Sequence, residues 1–196
     1  MAITIYNLMT YQLPMDFFES EFKSYVDSII KQELKKAKNK EILILGFSSR
    51  GVESYAKKRQ GIKKIGKFFY KGKFDPSNFF DFAKNQVGKF DVIFDVGFSA
   101  HLYKSKLSLF YTYNSRILKF GGKFYSFVLS SDSEVCKSRC PIRQWSHFGK
   151  HYIRFVSERT LKSTIQANFR IESLQKKFFD ENVFFQVMAF NDMEKF

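Results

Sequence analysis

Ile42-Leu43-Ile44-Leu45-Gly46-Phe47-Ser48-Ser49-Arg50-Gly51 is the stretch whose reading decides the fold. An apolar run ends in glycine, a short loop of small residues follows, and Val52-Glu53-Ser54-Tyr55-Ala56-Lys57-Lys58 then begins. The run from Glu41 to Leu45 is short, apolar and bounded by Lys40 and Gly46, as suits a strand buried on both faces of a parallel sheet. Gly46 can take backbone angles closed to other residues, and it leaves room for a ligand. Strand, tight turn and helix in this order bring a ligand close to the backbone and aim a helix N-terminus at it.

Outward from this stretch the pattern repeats. Phe90-Asp91-Val92-Ile93-Phe94-Asp95-Val96-Gly97 is a second apolar strand ending near an acid and a glycine. From Leu102 to Leu118, apolar residues at Leu107, Phe110, Tyr113 and Ile117 have helical spacing. Gly121-Gly122 is read as the break of that helix, and Lys123 to Leu129 as the next strand. Strands alternating with helices predict an α/β fold with a mostly parallel sheet. Towards the C-terminus, Phe169 to Ile171 and Val183 to Phe190 read as an antiparallel hairpin turning within residues 178–182.

At the other end, residues 1–13 show no period and read as an arm. Residues 14–38 read as a helix with Phe18, Phe22, Tyr25 or Val26, Ile29 or Ile30, and Leu34 along one stripe. The whole chain, 1–196, is expected to form a single domain. Only about 45 residues separate Gly46 from Asp91, where one strand-helix-strand unit takes about 30. That space holds the helix after Gly51, a strand near residues 65–70, and a helix started by Asp75 and Pro76. The fold is therefore expected to be shortened around its second and third strands.

The order of these pieces resembles the class I S-adenosylmethionine (SAM)-dependent methyltransferases. The resemblance rests on Ile42 to Gly46, on Phe90 to Asp95, and on Arg116-Ile117-Leu118-Lys119-Phe120-Gly121-Gly122-Lys123. The last is similar to that family's R-x-L-K-P-G-G link, with Phe120 in place of proline. Phe155 to Phe169 looks like its last helix and exit, so the likeness runs from about Phe17 to Phe190. It implies a three-layer sandwich with a Rossmann-like, mostly parallel sheet and an antiparallel C-terminal hairpin. It also implies SAM as cofactor, held by Gly46, Phe47, Ser48 and Asp95. Departures fall at the recognition positions. Ile44 stands where the family has its first acid, and Ser48 and Arg50 stand at its later glycines. No acid ends the candidate strand near 65–70, where Lys67, Lys71 and Lys73 stand instead. A lysine cannot accept the two hydroxyl hydrogen bonds of a ribose. Two readings stay open, an enzyme with altered cofactor contacts and a catalytically inactive binding or assembly subunit. Methyl transfer needs alignment more than acid-base groups, so no catalytic residue is assigned. A dinucleotide-dependent dehydrogenase would need a tyrosine four residues before a lysine, and none of the ten tyrosines has one.

Composition narrows the partners. A net charge of +14 over 196 residues favours anionic partners, nucleic acid first and RNA above all. Lysines cluster in 31–40, 57–73 and 176–177, the first two flanking the decisive strand. A small-molecule methyltransferase with an incidental basic surface is the further alternative. No apolar run approaches a membrane span, and Met1 to Tyr6 lacks the basic-then-apolar order of a secretory signal, so a cytoplasmic protein is expected.

One cluster stands outside this scheme. Cys136, Cys140, His147 and His151 form C-x3-C, six residues, then H-x3-H. Two thiolates and two imidazoles are the ligand set of a tetrahedral structural zinc. An ordinary basic loop with thiols is the alternative. His101, after the Asp95 strand, is read as a helix-start cap.

Overall fold

The structure, a computed structural model, describes residues 3–7, 20–36, 40–46, 77–139, 145–148 and 151–192. In chain order these form β1 (Ile3–Asn7), α1 (Ser20–Lys36), β2 (Ile42–Gly46) and α2 (Ser77–Lys84). Next come β3 (Phe90–Val96), a 3-10 turn (Ser99–His101), α3 (Lys104–Ile117), β4 (Leu118–Leu129) and α4 (Glu134–Arg139). β5 (Trp145–Phe148), β6 (His151–Arg154), α5 (Glu158–Gln166), β7 (Arg170–Phe179) and β8 (Asn182–Phe190) complete the chain. The main sheet has the order β1-β2-β3-β4-β8-β7, and β5 pairs with β6 in a separate ribbon. β1 to β4 run parallel, while β8 is antiparallel to both β4 and β7.

The period-two alternation of the strands sorts the core into two layers. On one face α1 lays Phe22, Val26, Ile30 and Leu34 against Ile42, Ile44, Val92, Phe94 and Phe127. On the other, α2, α3 and α5 cover Leu43, Leu45, Ile93, Phe124 and Val128. This is the α/β three-layer sandwich expected. Phe22 shows how α1 is held. Its ring stacks on Phe184 at 4.0 Å between centroids and meets Phe179 and Phe127 edge-on. Burial of a ring of this kind is worth about 2–3 kcal/mol. α1 also carries an acid on its buried side. Glu33 accepts a hydrogen bond from the Tyr125 hydroxyl at 3.1 Å and lies 3.4 Å from the Lys123 and Lys36 ammoniums. Burial alone would raise its pKa, but Lys123, Tyr125 and Lys36 together hold it below the ordinary value.

Two boundaries differ from the sequence reading. Residues 3–7 belong to the sheet rather than to an arm, in register with β2 from Ile3↔Ile42 to Asn7↔Gly46. The helix read over 14–38 is described over 20–36, with 14–19 and 37–38 outside the described residues, as are the helix after Gly51 and the strand read near 65–70. Gly121-Gly122 does not end α3. The helix stops at Ile117 and β4 is already extended at Leu118, so the glycines lie inside a strand and form a bulge between Phe90↔Leu118 and Val92↔Lys123. Gly121 sits at φ +69 there, a conformation that favours glycine. Asn191 stops the helix. Its side-chain amide donates to the carbonyls of Ser115, in the last turn of α3, and of Leu118 and Lys119, at the start of β4. The C-terminal hairpin turns at Asp180-Glu181, inside the expected window, and Ser157 caps α5.

Candidate cofactor crevice

Two features fix where a ligand would lie. The helices flanking the parallel strands change face between β2, preceded by α1, and β3, preceded by α2. In open α/β sheets the crevice at the carboxyl ends of such strands is the usual binding place. Those ends are Gly46 and Val96-Gly97, joined by a Gly46↔Gly97 bridge. Gly46 sits at φ +94. A Cβ added to it would lie 2.2 Å from the Val96 carbonyl oxygen and 3.0 Å from the Phe98 nitrogen. The space beside Gly46 is thus filled by the end of β3, not left for a ligand. Its glycine is needed for the close crossing of two strands, which corrects the reading that its missing side chain is itself the ligand's seat.

Asp95 ends β3 and is fully buried. The Ser99 backbone N–H donates to its Oδ1 at 3.1 Å, and the Ser99 and Ser126 hydroxyls donate to its Oδ2 at 2.6 and 2.7 Å. Ser126 stands directly opposite Asp95 in the β3–β4 register, and Ser99 opens the 3-10 turn. The carboxylate therefore ties two strands to the turn that follows them. Burial pushes its pKa up to about 6, against the pull of the hydrogen bonds from Ser99, Ser126 and Phe98. Tyr111 of α3, also fully buried, lies beside the same serines, and burial followed by the Asp95 charge drives its phenol well above the ordinary range. Arg154 of β6 comes in from the other side, where burial lowers its pKa and Tyr111 opposes that effect.

The serines could have been found from sequence. Ser126 is the one small polar residue in the run Phe124 to Leu129, as Asp95 is an isolated acid in Val92 to Val96. A lone polar group in a buried strand needs a partner. Tyr111 and Arg154 carry no such signal, because their approach depends on how α3 and the β5–β6 ribbon pack.

The other proposed site residues separate. Phe47 and Ser48 lie outside the described residues. Ile44, at the family's first acid position, is fully buried on the α1 side of the sheet. Residues 47–76, which would hold the loop after β2 and the strand read near 65–70, lie outside the described residues. His101 closes the 3-10 turn, and Tyr103 occupies the N-cap of α3, so His101 is not its cap.

The zinc set is not supported. Cys136 is buried in the apolar layer beneath α1. His147 pairs in register with Tyr152, and His151 with Phe148. Cys140 lies outside the described residues. Among the described residues no group of three or more His, Cys, Asp and Glu could hold a metal ion.

The architecture is that of the SAM-dependent methyltransferases. A 1,6-didemethyltoxoflavin N1-methyltransferase from Burkholderia thailandensis, solved with 1,6-didemethyltoxoflavin and S-adenosylhomocysteine, superposes with a TM-score of 0.61 at 16% identity, over 85% of this chain and 76% of that one. A SAM-dependent methyltransferase from Methanosarcina mazei gives 0.54 at 15%, over 83% and 87%. One from Archaeoglobus fulgidus gives 0.55 at 11%, over 90% and 96%. At these identities the likeness establishes the fold. No protein-family model matches the sequence, and no curated protein matches it.

Proposed function

We propose that this chain is a SAM-dependent methyltransferase whose cofactor lies across the carboxyl ends of β2 and β3, with nucleic acid, RNA first, as the acceptor. The observation that carries this reading is the left-handed Gly46 ending β2 at the point where the flanking helices change face. Phe47 and Ser48 follow it directly and are the backbone that would meet the cofactor. Asp95 serves the same place indirectly, by holding the 97–101 turn that forms the opposite wall. SAM would supply the electrophilic methyl group. The protein's part is alignment of acceptor and methyl. The net charge of +14 supports an anionic acceptor. A small-molecule acceptor is the alternative that the Burkholderia enzyme's own ligand brings to mind.

A second reading has its own support. Ile44 replaces the first cofactor acid, and the carboxylate of Asp95 is taken up by Ser99 and Ser126. That is the arrangement of a methyltransferase fold kept as a binding subunit. Incubation with methyl-labelled SAM and total RNA separates the two. The enzyme reading expects label in RNA, lost on ribonuclease treatment. Label in small metabolites alone would move the acceptor to that class. No incorporation into either, by protein that binds RNA, would leave the binding subunit.

A further inference from the structure

Between β6 and α5 the chain crosses the carboxyl end of the sheet on a short strap. β6 packs against the 3-10 turn that follows β3. Residues 153–156 then run along the end of β4. The Val156 N–H donates to the Leu129 carbonyl at 2.9 Å, and the Ser131 N–H donates to the Val156 carbonyl at 3.0 Å. Ser130 and Val156 form a parallel bridge there. Side chains alternate along this extended strap. Ile153 and Phe155 enter the layer beneath α1, and Val156 enters the layer beneath α2, α3 and α5. Arg154 takes the Val156 side, where it comes close to Tyr111 of α3.

Arg154 is the odd residue of the four. Its neighbours along the strap are apolar, and it is buried as they are. Burying a guanidinium costs free energy that an aliphatic side chain in the same place would not. What the charge adds is register. An aliphatic side chain packs at several heights along an apolar wall, whereas a guanidinium is satisfied only where its polar neighbours stand. Those neighbours belong to the cluster around Asp95. Tyr111 lies beside Ser99 and Ser126, whose hydroxyls donate to the Asp95 carboxylate. The same carboxylate sets the 97–101 turn through the Ser99 N–H. Turn and strap therefore meet at one buried polar cluster, the turn through Ser99 and the strap through Arg154.

We propose that the β5–β6 ribbon is a lid on the crevice, and that Arg154 is the positioning residue that couples it to the 97–101 turn, so that a ligand seated against the turn also holds the ribbon closed. Opening of the ribbon disturbs the wall against which the ligand lies. A ligand that binds the closed form alone makes each such opening rarer. The proposal rests on the cofactor reading given above and adds how the crevice is shut.

The test is hydrogen-deuterium exchange of the full chain, read by mass spectrometry on peptides covering 97–102 and 151–156. It is run with and without S-adenosylhomocysteine, whose Kd is first measured by calorimetry. Ligand at about ten times its Kd slows exchange about tenfold through any opening that releases it. Both peptides should slow together by about that factor. A peptide covering 84–89, at the amino end of β3, should not slow with them. Arg154→Met, similar in length but apolar, should split the pair, with 97–102 still slowed and 151–156 no longer so. Arg154→Lys, which keeps the charge, should recover part of the slowing at 151–156. Slowing of 97–102 alone in the wild type would overturn the lid and leave the cofactor reading standing, and that comparison needs no variant. Equal slowing of both peptides in Arg154→Met and in the wild type would overturn the role of Arg154. No S-adenosylhomocysteine bound in the calorimeter would overturn the cofactor reading and the coupling with it.

Discussion

Gly46→Ala should lower the thermal unfolding midpoint by roughly 10 °C. The new Cβ would lie 2.2 Å from the Val96 carbonyl oxygen, a backbone atom that cannot swing aside. Holding a non-glycine residue at φ +94 adds strain of about 1–3 kcal/mol, and the overlap adds a similar amount. A total near 4 kcal/mol corresponds to that shift in a domain of this size. Scanning calorimetry of the two proteins without added ligand measures it. An unchanged midpoint would mean that β2 and β3 do not cross as described. Because the effect is on folding, loss of cofactor binding in this variant would not by itself locate the cofactor.

The second large effect is on pH dependence. Asp95 has a folded pKa of about 6 against an unfolded value near 3.8. Between these values the native state binds a proton that the unfolded state does not. The contribution of Asp95 to stability is therefore greatest below pH 4, falls as pH rises to 6, and stays low above that. A shift of about two units corresponds to about 3 kcal/mol, and full burial means solvent does not screen it. Asp95→Asn has no such titration. Its amide keeps an acceptor for the Ser99 N–H and can donate to the two hydroxyls. The stability difference, wild type minus Asp95→Asn, should thus rise by about 3 kcal/mol as pH falls from 7 to 4. Denaturant unfolding of both proteins across that range reads it, and subtraction removes carboxylates such as Glu33 that titrate in the opposite sense. A difference independent of pH would show that Asp95 is not buried as described.

How much of this was legible in the sequence depended on the kind of signal. β2, β3, β8 and α3 announce themselves, because a buried strand must be apolar along its length and a covering helix apolar along one stripe. The end of α3 was misplaced because Gly121-Gly122 is a strong local signal, whereas the residue that stops the helix, Asn191, lies more than seventy positions away. β1 was missed because strand formation at residues 3–7 depends on pairing with β2, not on a period of its own. Gly46 and Asp95 were legible as the ends of two apolar strands, but their partners were not. Gly46 is constrained by Val96, and Asp95 by Ser99 and Ser126, partners that spacing alone does not reveal. The Cys and His spacing finds no support as a metal site, since among the described residues no group of three or more His, Cys, Asp and Glu comes together.

The central claim is that this methyltransferase fold still holds its cofactor. A calorimetric titration of the full chain with SAM, run at two temperatures so that a vanishing heat cannot hide binding, tests it most directly. The account predicts saturable binding of one SAM per chain, displaced by S-adenosylhomocysteine. No heat at either temperature with SAM at about 1 mM, where even weak binding of roughly −4 kcal/mol would register, would contradict it.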